Sequence, residues 1–364
     1  MKNGHFHAIG LMSGSSLDGL DIAHCELDFR GDELVWQLLE AETLPFDEKW
    51  CARLRELPFQ NALAFAKTHT YFGHNMGQLV NSFLEKHQLK PDFIASHGHT
   101  VFHHPERRFT TQIGCGGALA ATTRTTVVCD FRTQDIAING EGTPLAPIAD
   151  KLLFKGYDFY LNLGGIANVS ANLPSGFVAF DVTFCNQVLN ALAAKVGLQF
   201  DDKGSLARSG RLIEELPSTI SDIDYFSKKY PKSLDNQWIR TQIVPIFLKY
   251  DAPAEDLLHT ACHIIARHIA AALEMVAQKE SLTKDGYTLL ATGGGARNAF
   301  LVEILQQYLP KTNVTVPSGK IVDFKEAALM ALMGALRLLE RQNCLSKVTG
   351  ALRDTVGGAV YHGN

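Results

Sequence analysis

The 364-residue sequence predicts an α/β protein built as two related halves, and three observations carry that prediction. Short apolar strands alternate with helical stretches, most regularly in the second half, which is the pattern of sheets covered by helices. A strand, a glycine turn and a second strand occur near residue 14 and again near residue 164. The composition, 46% hydrophobic and 20% charged, supplies enough apolar material for a large core, and the length suits about two domains of ~100–200 residues each. Sequence identity between the two hairpins is slight, so the repeat is a weak one.

The elements follow in order along the chain. His7 to Met12 is an apolar strand, Ser13 to Gly19 a polar glycine turn, and Leu20 to Leu27 a second strand, together a hairpin. Residues 61–88 form a helix that closes before Pro91. Phe93 to Ser96 is a short buried strand ending on the polar run His97-Gly98-His99-Thr100. Thr125 to Cys129 is another strand, with Asp130-Phe131-Arg132 at its C-terminal end. Pro144 and Pro147 mark a boundary in the region 140–155, dividing the chain into lobes 1–145 and 146–364. In the second lobe Phe159 to Leu163, Gly164-Gly165 and Ile166 to Ser170 repeat the hairpin. Phe177 to Phe180 is a strand, and Asp181 caps a helix that runs to about Val196 and closes at Gly197. A long helix covers about 255–279, and Thr288 to Ala291 is a strand leading into Gly293-Gly294-Gly295. Residues 296–309 are helical, with Leu301, Ile304, Leu305 and Tyr308 at i, i+3, i+4 and i+7. Val314 to Val316 is a strand, and a last helix starts near Asp323.

Bulk properties exclude several function classes. The net charge is −4 and no basic run is present, so a nucleic-acid partner is not expected. Mild acidity is compatible with phosphate ligands held by backbone N–H groups and Mg²⁺. The N-terminal residues have neither a long apolar segment nor a small-residue cleavage site, and no stretch reaches the ~18 apolar residues of a spanning helix. Seven isolated cysteines without a CxxC pair fit free thiols in a reducing cytoplasm.

Three glycine motifs suit contact with phosphate. In Ser13-Gly14-Ser15-Ser16-Leu17-Asp18-Gly19, hydroxyls and free N–H groups can wrap phosphate oxygens, and Asp18 can position Mg²⁺ or a bridging water. An ordinary hairpin turn explains the same residues, since Asp-Gly is a favoured turn pair. The Walker lysine is missing. Gly164-Gly165 suits backbone contact with a phosphate, although a tight hairpin explains it alone. Gly293-Gly294-Gly295, leading through Arg297 to Asn298, offers side-chain-free backbone before a helix N-terminus, where a ring or a phosphate is favoured. Asp181 lies where open α/β sheets place ligands, and a carboxylate there can act as a general base. Read locally, Asp181 is an N-cap, and Asp323 to Glu326 is a capping-box variant. The histidines His97, His99, His103, His104, His259 and His263 lack the partners of a tetrahedral metal set, and His263 and His268 are expected to line a packed helix.

Together these stretches resemble the anhydro-N-acetylmuramic acid kinase family. The resemblance runs in order through GLMSGSSLDGLDIA (10–23), SHGHTVFH (96–103), TVVCDFRTQDIA (126–137), GEGTPLAP (140–147), LNLGGIANVS (161–170), DDKG (201–204), TGGGARNAFL (292–301), DFKEA (323–327) and VTGALRDTVGGAVY (348–361). It implies a two-lobed actin/hexokinase/Hsp70-like fold, a duplicated ribonuclease H-like arrangement with ATP between the lobes. It implies phosphate contact by Ser13, Gly14, Ser15, Ser16, Leu17, Asp18 and Gly19 and by Gly164 and Gly165, and nucleotide contact by Gly293, Gly294, Gly295 and Asn298. The family's base matches Asp181, and its sugar pocket maps onto His97, Arg132 and Glu326. The implied reaction uses ATP and Mg²⁺. Water opens the anhydro bridge of 1,6-anhydro-N-acetylmuramic acid at C1 while O6 is phosphorylated, giving N-acetylmuramic acid 6-phosphate in peptidoglycan recycling. A cytoplasmic homodimer without membrane partners is implied as well. An ordinary Asp pKa near ~4 leaves the base ionised at neutral pH.

The sequence also departs from the family pattern. The DTGPGN-like run reads Asp181-Val182-Thr183-Phe184-Cys185-Asn186, with Phe184 and Cys185 bulkier than usual. The loop has Ser15-Ser16 where Thr-Ser is typical, His99 replaces an amide, and Cys115-Gly116-Gly117 replaces an Asp-Pro-containing stretch. These departures motivate two competing readings: the same fold acting on another amino sugar, and a catalytically silent nucleotide- or sugar-binding relative. A retained base argues against the second.

Overall fold

The computed structural model describes residues 3–14, 17–173, 176–230, 232–282, 284 and 286–363. Along the chain the elements that matter for function are β1 (Gly4–Ser13), β2 (Gly19–Arg30), β3 (Glu33–Pro45), α1 (Ala62–His87), β4 (Phe93–His104), β5 (Phe109–Ile113), α2 (Gly116–Thr123) and β6 (Val127–Cys129). There follow β7 (Phe159–Leu163), β8 (Ile166–Leu173), β9 (Gly176–Phe184), α3 (Asn186–Ala193), α4 (Ala254–Lys279), β10 (Tyr287–Thr292), α5 (Ala299–Tyr308), β11 (Thr312–Thr315), α6 (Gly319–Leu338) and β12 (Ala359–Tyr361).

Two compact units form, one from residues 1–154 with 324–364 and one from 155–323. The division therefore falls at 154/155 instead of 145/146, and the last 41 residues (364 − 324 + 1) belong with the first unit. That return is a long-range event with no local signature. In the first unit the strand order is β3-β2-β1-β4-β6-β12, with β5 paired to β4. β1 is antiparallel to β2 and parallel to β4, and β4 is parallel to β6. In the second unit the order is β9-β8-β7-β10-β11, again with an antiparallel hairpin and two parallel neighbours. With β5 and β12 set aside as additions antiparallel to β4 and β6, the core of each sheet reads 3-2-1-4-5 with strand 2 antiparallel to the rest. The duplicated ribonuclease H-like arrangement is thus written in the pairing itself.

Local chemistry explains the main elements. Asn61 caps α1 by accepting a hydrogen bond from the Ala64 N–H at 2.9 Å, and Gln88 ends it in the left-handed region. Phe72, Met76, Val80 and Phe83 recur at helical spacing on the face that packs on Ile9, Leu11 and Ile94. Alternation along β1 turns Gly10 to the opposite face, where a Cβ would stand 1.8 Å from the Ala327 carbonyl oxygen of α6. Only glycine admits that approach. In the second unit α4 is the core helix: Leu257, Leu258, Ala261, Ile264, Ile265 and Ile269 are fully buried. Among the described residues α4 is the one helix long and apolar enough to cross a membrane, and that composition is what its buried position requires.

Three boundaries differ from the sequence reading. β4 continues through the polar run to His104. β9 extends to Phe184, so Asp181 lies within a strand and Cys185, not Asp181, precedes the helix α3. α6 begins at Gly319, so Asp323 and Glu326 are interior helical residues and the capping-box reading does not apply.

Candidate active site

In the first unit the segment expected to contact phosphate leaves the end of β1. Ser13 is buried, and its Oγ lies 3.2 Å from Nδ1 of His99 on β4. The residues of the loop on either side are Gly14, which accepts from the Leu17 N–H at 3.4 Å, and Leu17, held at φ 60°. Asp18 is exposed, and Gly19 opens β2. Ser15 and Ser16 lie outside the described residues. Burial lowers the His99 pKa, so its imidazole is neutral near pH 7.

The three residues expected to bind sugar are brought together in this unit. His97 Nδ1 lies 3.0 Å from the Gly98 carbonyl, which only accepts, so Nδ1 carries the proton. Its Nε2 is then free to accept from Arg132 Nε, at 2.9 Å. Burial, reinforced by the Arg132 charge, pushes the His97 pKa down to about 3. Arg132 also donates from Nη1 to the Gly142 carbonyl at 3.3 Å. Glu326 keeps solvent-exposed surface, yet the protein around it strips enough water to push its carboxyl up, against the pull of Arg132 and Lys325. Behind it Lys325 Nζ donates to Asp150 at 2.6 Å in a buried pair.

His97 also opens onto a cavity of about 230 Å³, lined with it by His69, Gln112, Asp130, Thr133 and Tyr361. Asp130 has φ 60°, uncommon for a residue with a side chain, and its Oδ1 accepts from the Thr133 N–H at 3.3 Å. Asp130 and the Ser13–His99 contact received no role in the sequence reading. The position of Asp130 at the C-terminal end of a parallel strand was the available signal. The Ser13–His99 contact joins residues 86 apart and had none.

In the second unit the Gly164-Gly165 turn is pinned to the start of α3. Gly164 O accepts from the Asn186 N–H at 3.1 Å, and Gly165 O accepts from the Cys185 and Gln187 N–H groups at 3.0 and 3.3 Å. The glycine run after β10 packs on the same corner. A Cβ on Gly293 (φ 83°) would stand 2.5 Å from Asn162 Oδ1, and one on Gly295 would stand 2.8 Å from Leu163 Cβ. Internal packing thus explains two of the three glycines, while Gly294 has nothing closer than Asn186 Nδ2 at 3.7 Å. Asn298 serves as the N-cap of α5, its Oδ1 accepting from the Leu301 N–H at 2.9 Å.

Asp181 stands on the edge strand β9, beside a bulge formed where Asn168 pairs with Asp181 and Ala167 with Thr183. The segment after the bound edge covers it: Asp181 N–H donates to Lys232 O at 3.1 Å, and Tyr225 OH donates to Asp181 O at 2.7 Å. The carboxylate Oδ2 accepts from the Leu234 N–H at 2.8 Å and from Ser233 Oγ at 3.2 Å. Oδ1 accepts no hydrogen bond among the described residues. Burial raises the Asp181 pKa above its ordinary value, opposed first by the Leu234 N–H and then by Ser233. This corrects the expectation of an ordinary carboxylate. Phe184 and Cys185 are fully buried, Phe184 edge-on to Phe247 at 5.5 Å, so their extra bulk fills the core.

A family-wide sequence model described as "Anhydro-N-acetylmuramic acid kinase" matches residues 6–363. Relatives described by the same words are similar along their whole length. One from Nitrosomonas europaea is 32% identical, covering 97% of this chain and 99% of its own. One from Photobacterium profundum is 32% identical, covering 97% and 98%. Solved structures with a likeness include an activator of 2-hydroxyisocaproyl-CoA dehydratase from Clostridium difficile with bound ADPNP, at TM-score 0.41, 13% identity and coverage of 92% and 97%. A hexokinase is similar at TM-score 0.37, 12% identity and coverage of 91% and 85%.

Proposed function

The chain belongs to the anhydro-N-acetylmuramic acid kinase family, and from that premise we propose that it phosphorylates O6 of 1,6-anhydro-N-acetylmuramic acid with ATP while water opens the anhydro bridge. The observation that supports this most directly is Asp181, an enclosed carboxylate with Oδ2 fixed by two donors and Oδ1 without a partner among the described residues. In this reading Oδ1 takes a proton from water as the water oxygen bonds to C1. The C1–O6 bond breaks, its electron pair goes to O6, and O6 attacks the γ-phosphorus as ADP departs. A base that activates water on one face of C1 follows the logic of inverting glycoside hydrolysis. Burial raises the Asp181 pKa, which makes its carboxylate a stronger base than an ordinary aspartate.

The other residues bind and orient. Arg132, its geometry fixed by His97, presents charge and N–H donors toward a polar sugar, and Glu326 offers an acceptor beside it. The Ser13–Gly19 loop and Gly164-Gly165 offer backbone N–H groups to phosphate oxygens, and Gly294 leaves backbone open to the nucleotide. Asp18 fits Mg²⁺, because it is an exposed hard oxygen ligand and that ion needs only one or two carboxylates beside phosphate oxygens and water. When bound, Mg²⁺ neutralises charge developing on the transferred phosphoryl group. The burial of Phe184 and Cys185 favours the family's own substrate over a changed acceptor. A cytoplasmic homodimer acting in peptidoglycan recycling completes the reading, with light scattering as the check on the dimer.

Transfer from γ-labelled ATP to 1,6-anhydro-N-acetylmuramic acid tests it, wild type beside Asp181→Asn. Sugar-dependent transfer that collapses in the variant is expected. A wild-type chain that binds ATP and transfers nothing to this sugar overturns the reading.

A further inference from the structure

A second concentration of chemistry lies at the opposite end of β1. His7 stands six residues (13 − 7) before Ser13, roughly 20 Å along the strand. His5 and His7 fall on one face of β1 by alternation, and β2 brings Glu26 opposite His7 and Asp28 opposite His5. Asp28 is taken by Arg30, at 2.6 Å. Glu26 instead turns to the histidines, with Oε1 2.8 Å from His5 Nε2. One ligand atom from each of His5, His7 and Glu26 lies within 4.8 Å of the other two.

We propose that His5, His7 and Glu26 form a binding site for a zinc-type divalent cation. With metal–ligand bonds of ~2.0–2.1 Å, neighbouring donors in a tetrahedral site stand roughly 3.3 Å apart. Two imidazoles and one carboxylate prefer a borderline cation such as Zn²⁺ to Mg²⁺ or Ca²⁺, which take oxygen sets. Three protein donors leave a coordination position open, and the exposed His5 gives the ion a path in.

A surface ion pair between His5 and Glu26 would account for those two residues without any metal. It does not account for His7 converging on the same point, or for His24. That residue lies two positions before Glu26, on the same face of β2, and is only 5% exposed. Its Nδ1 has no hydrogen-bond partner among the described residues, and its ring centroid is 5.5 Å from that of His7. A buried imidazole nitrogen without a partner is uncommon in a native core. The His24 ring lies beside His7 but outside the set of three convergent donors.

The test uses the full chain, stripped of metal by a chelator and titrated with Zn²⁺ against a chromophoric competitor. One site per chain is expected in the wild type. Its affinity should fall at least about 100-fold in His7→Asn and in Glu26→Gln, the upper end of what losing even an outer-shell partner costs. His5→Asn changes an exposed residue and keeps the test decisive if either of the others fails to fold. Equal Zn²⁺ affinity and stoichiometry in the wild type and every folded variant overturns the proposal, as does a wild type that takes up no Zn²⁺. Phosphoryl transfer, measured alongside, separates this outcome from failure of the kinase reading.

Discussion

The two units share one sheet order, yet they use the turn after their first strand differently. In the first unit the turn leaves Ser13 against a buried imidazole, and the neighbouring strands bring His97 and Arg132 into a hydrogen bond beside Glu326. In the second unit the turn is Gly164-Gly165, held by backbone N–H groups of residues 185–187 and flanked by another glycine run. The duplicated scaffold differs at equivalent positions: one copy sets its turn among side chains, the other leaves bare backbone, which suits the proposed division between sugar and phosphate. Side chains discriminate among sugars by hydrogen bonding, whereas backbone N–H groups accept any phosphate of the right shape.

The sharpest way to break this comparison is to remove the one acidic side chain assigned a chemical step in the second unit. Asp181→Asn should lower kcat for sugar phosphorylation by about 10²–10⁴-fold, the usual contribution of a general base. It should not destabilise the fold. The folded-state pKa of Asp181 is raised, so the ionised form costs stability at neutral pH, and that cost fades as pH falls through the raised value. Asn keeps an acceptor for the Leu234 N–H, so thermal denaturation at pH 7 should show an unchanged or higher Tm. A large drop in Tm would instead make Asp181 a structural residue.

Side-chain recognition in the first unit is tested by Arg132→Lys, which removes the Nε donor to His97. The change should cost about 10–150-fold in kcat/KM for the sugar, as expected for charge-assisted hydrogen bonds of ~1.5–3 kcal/mol, with KM for ATP unaltered. An equal effect on ATP would erase the division of labour. For the backbone side, Gly293→Ala should destabilise by about 1–3 kcal/mol, since its Cβ meets Asn162 and the φ is positive. Gly294→Ala should stay within about 0.5 kcal/mol in urea unfolding, because no atom crowds that position. A weakened nucleotide affinity in Gly294→Ala alone would assign the contact. The smallest effect concerns pH. The acid limb of kcat should lie above the ordinary Asp value of ~3.9, and Ser233→Ala should move it slightly higher, because Ser233 stabilises the charged form. A limb that moves down in that variant would remove Asp181 as its origin.

Much of the scaffold was legible in the sequence because its signals are local. The hairpins announce themselves by strand–glycine–strand pattern, and α1 and α4 by apolar spacing. What escaped depends on distant partners. Asp181 reads locally as a helix cap, and it is a strand residue because Lys232 to Leu234 cover the β9 edge from some fifty positions away. Glu326 reads as part of a cap because a favourable Asp323–Glu326 pair masks the earlier start at Gly319. The glycine run at 293–295 reads locally as ligand-facing, whereas packing on Leu163 and Asn162, more than 120 residues earlier, accounts for two of its three members.

The second unit, 155–323, is one unbroken stretch, whereas the first is assembled from both sides of it. On the ribosome the inner unit is therefore finished first. For roughly 2–8 s, at ~5–20 residues/s, the sheet of the outer unit must wait for its last residues. During that interval Gly10 and Ala95 lack the helix that later covers them, and β6 lacks its β12 neighbour. A chain halted at Asp323 should hold a protease-resistant inner fragment beside an outer one that is cut readily and recruits chaperones.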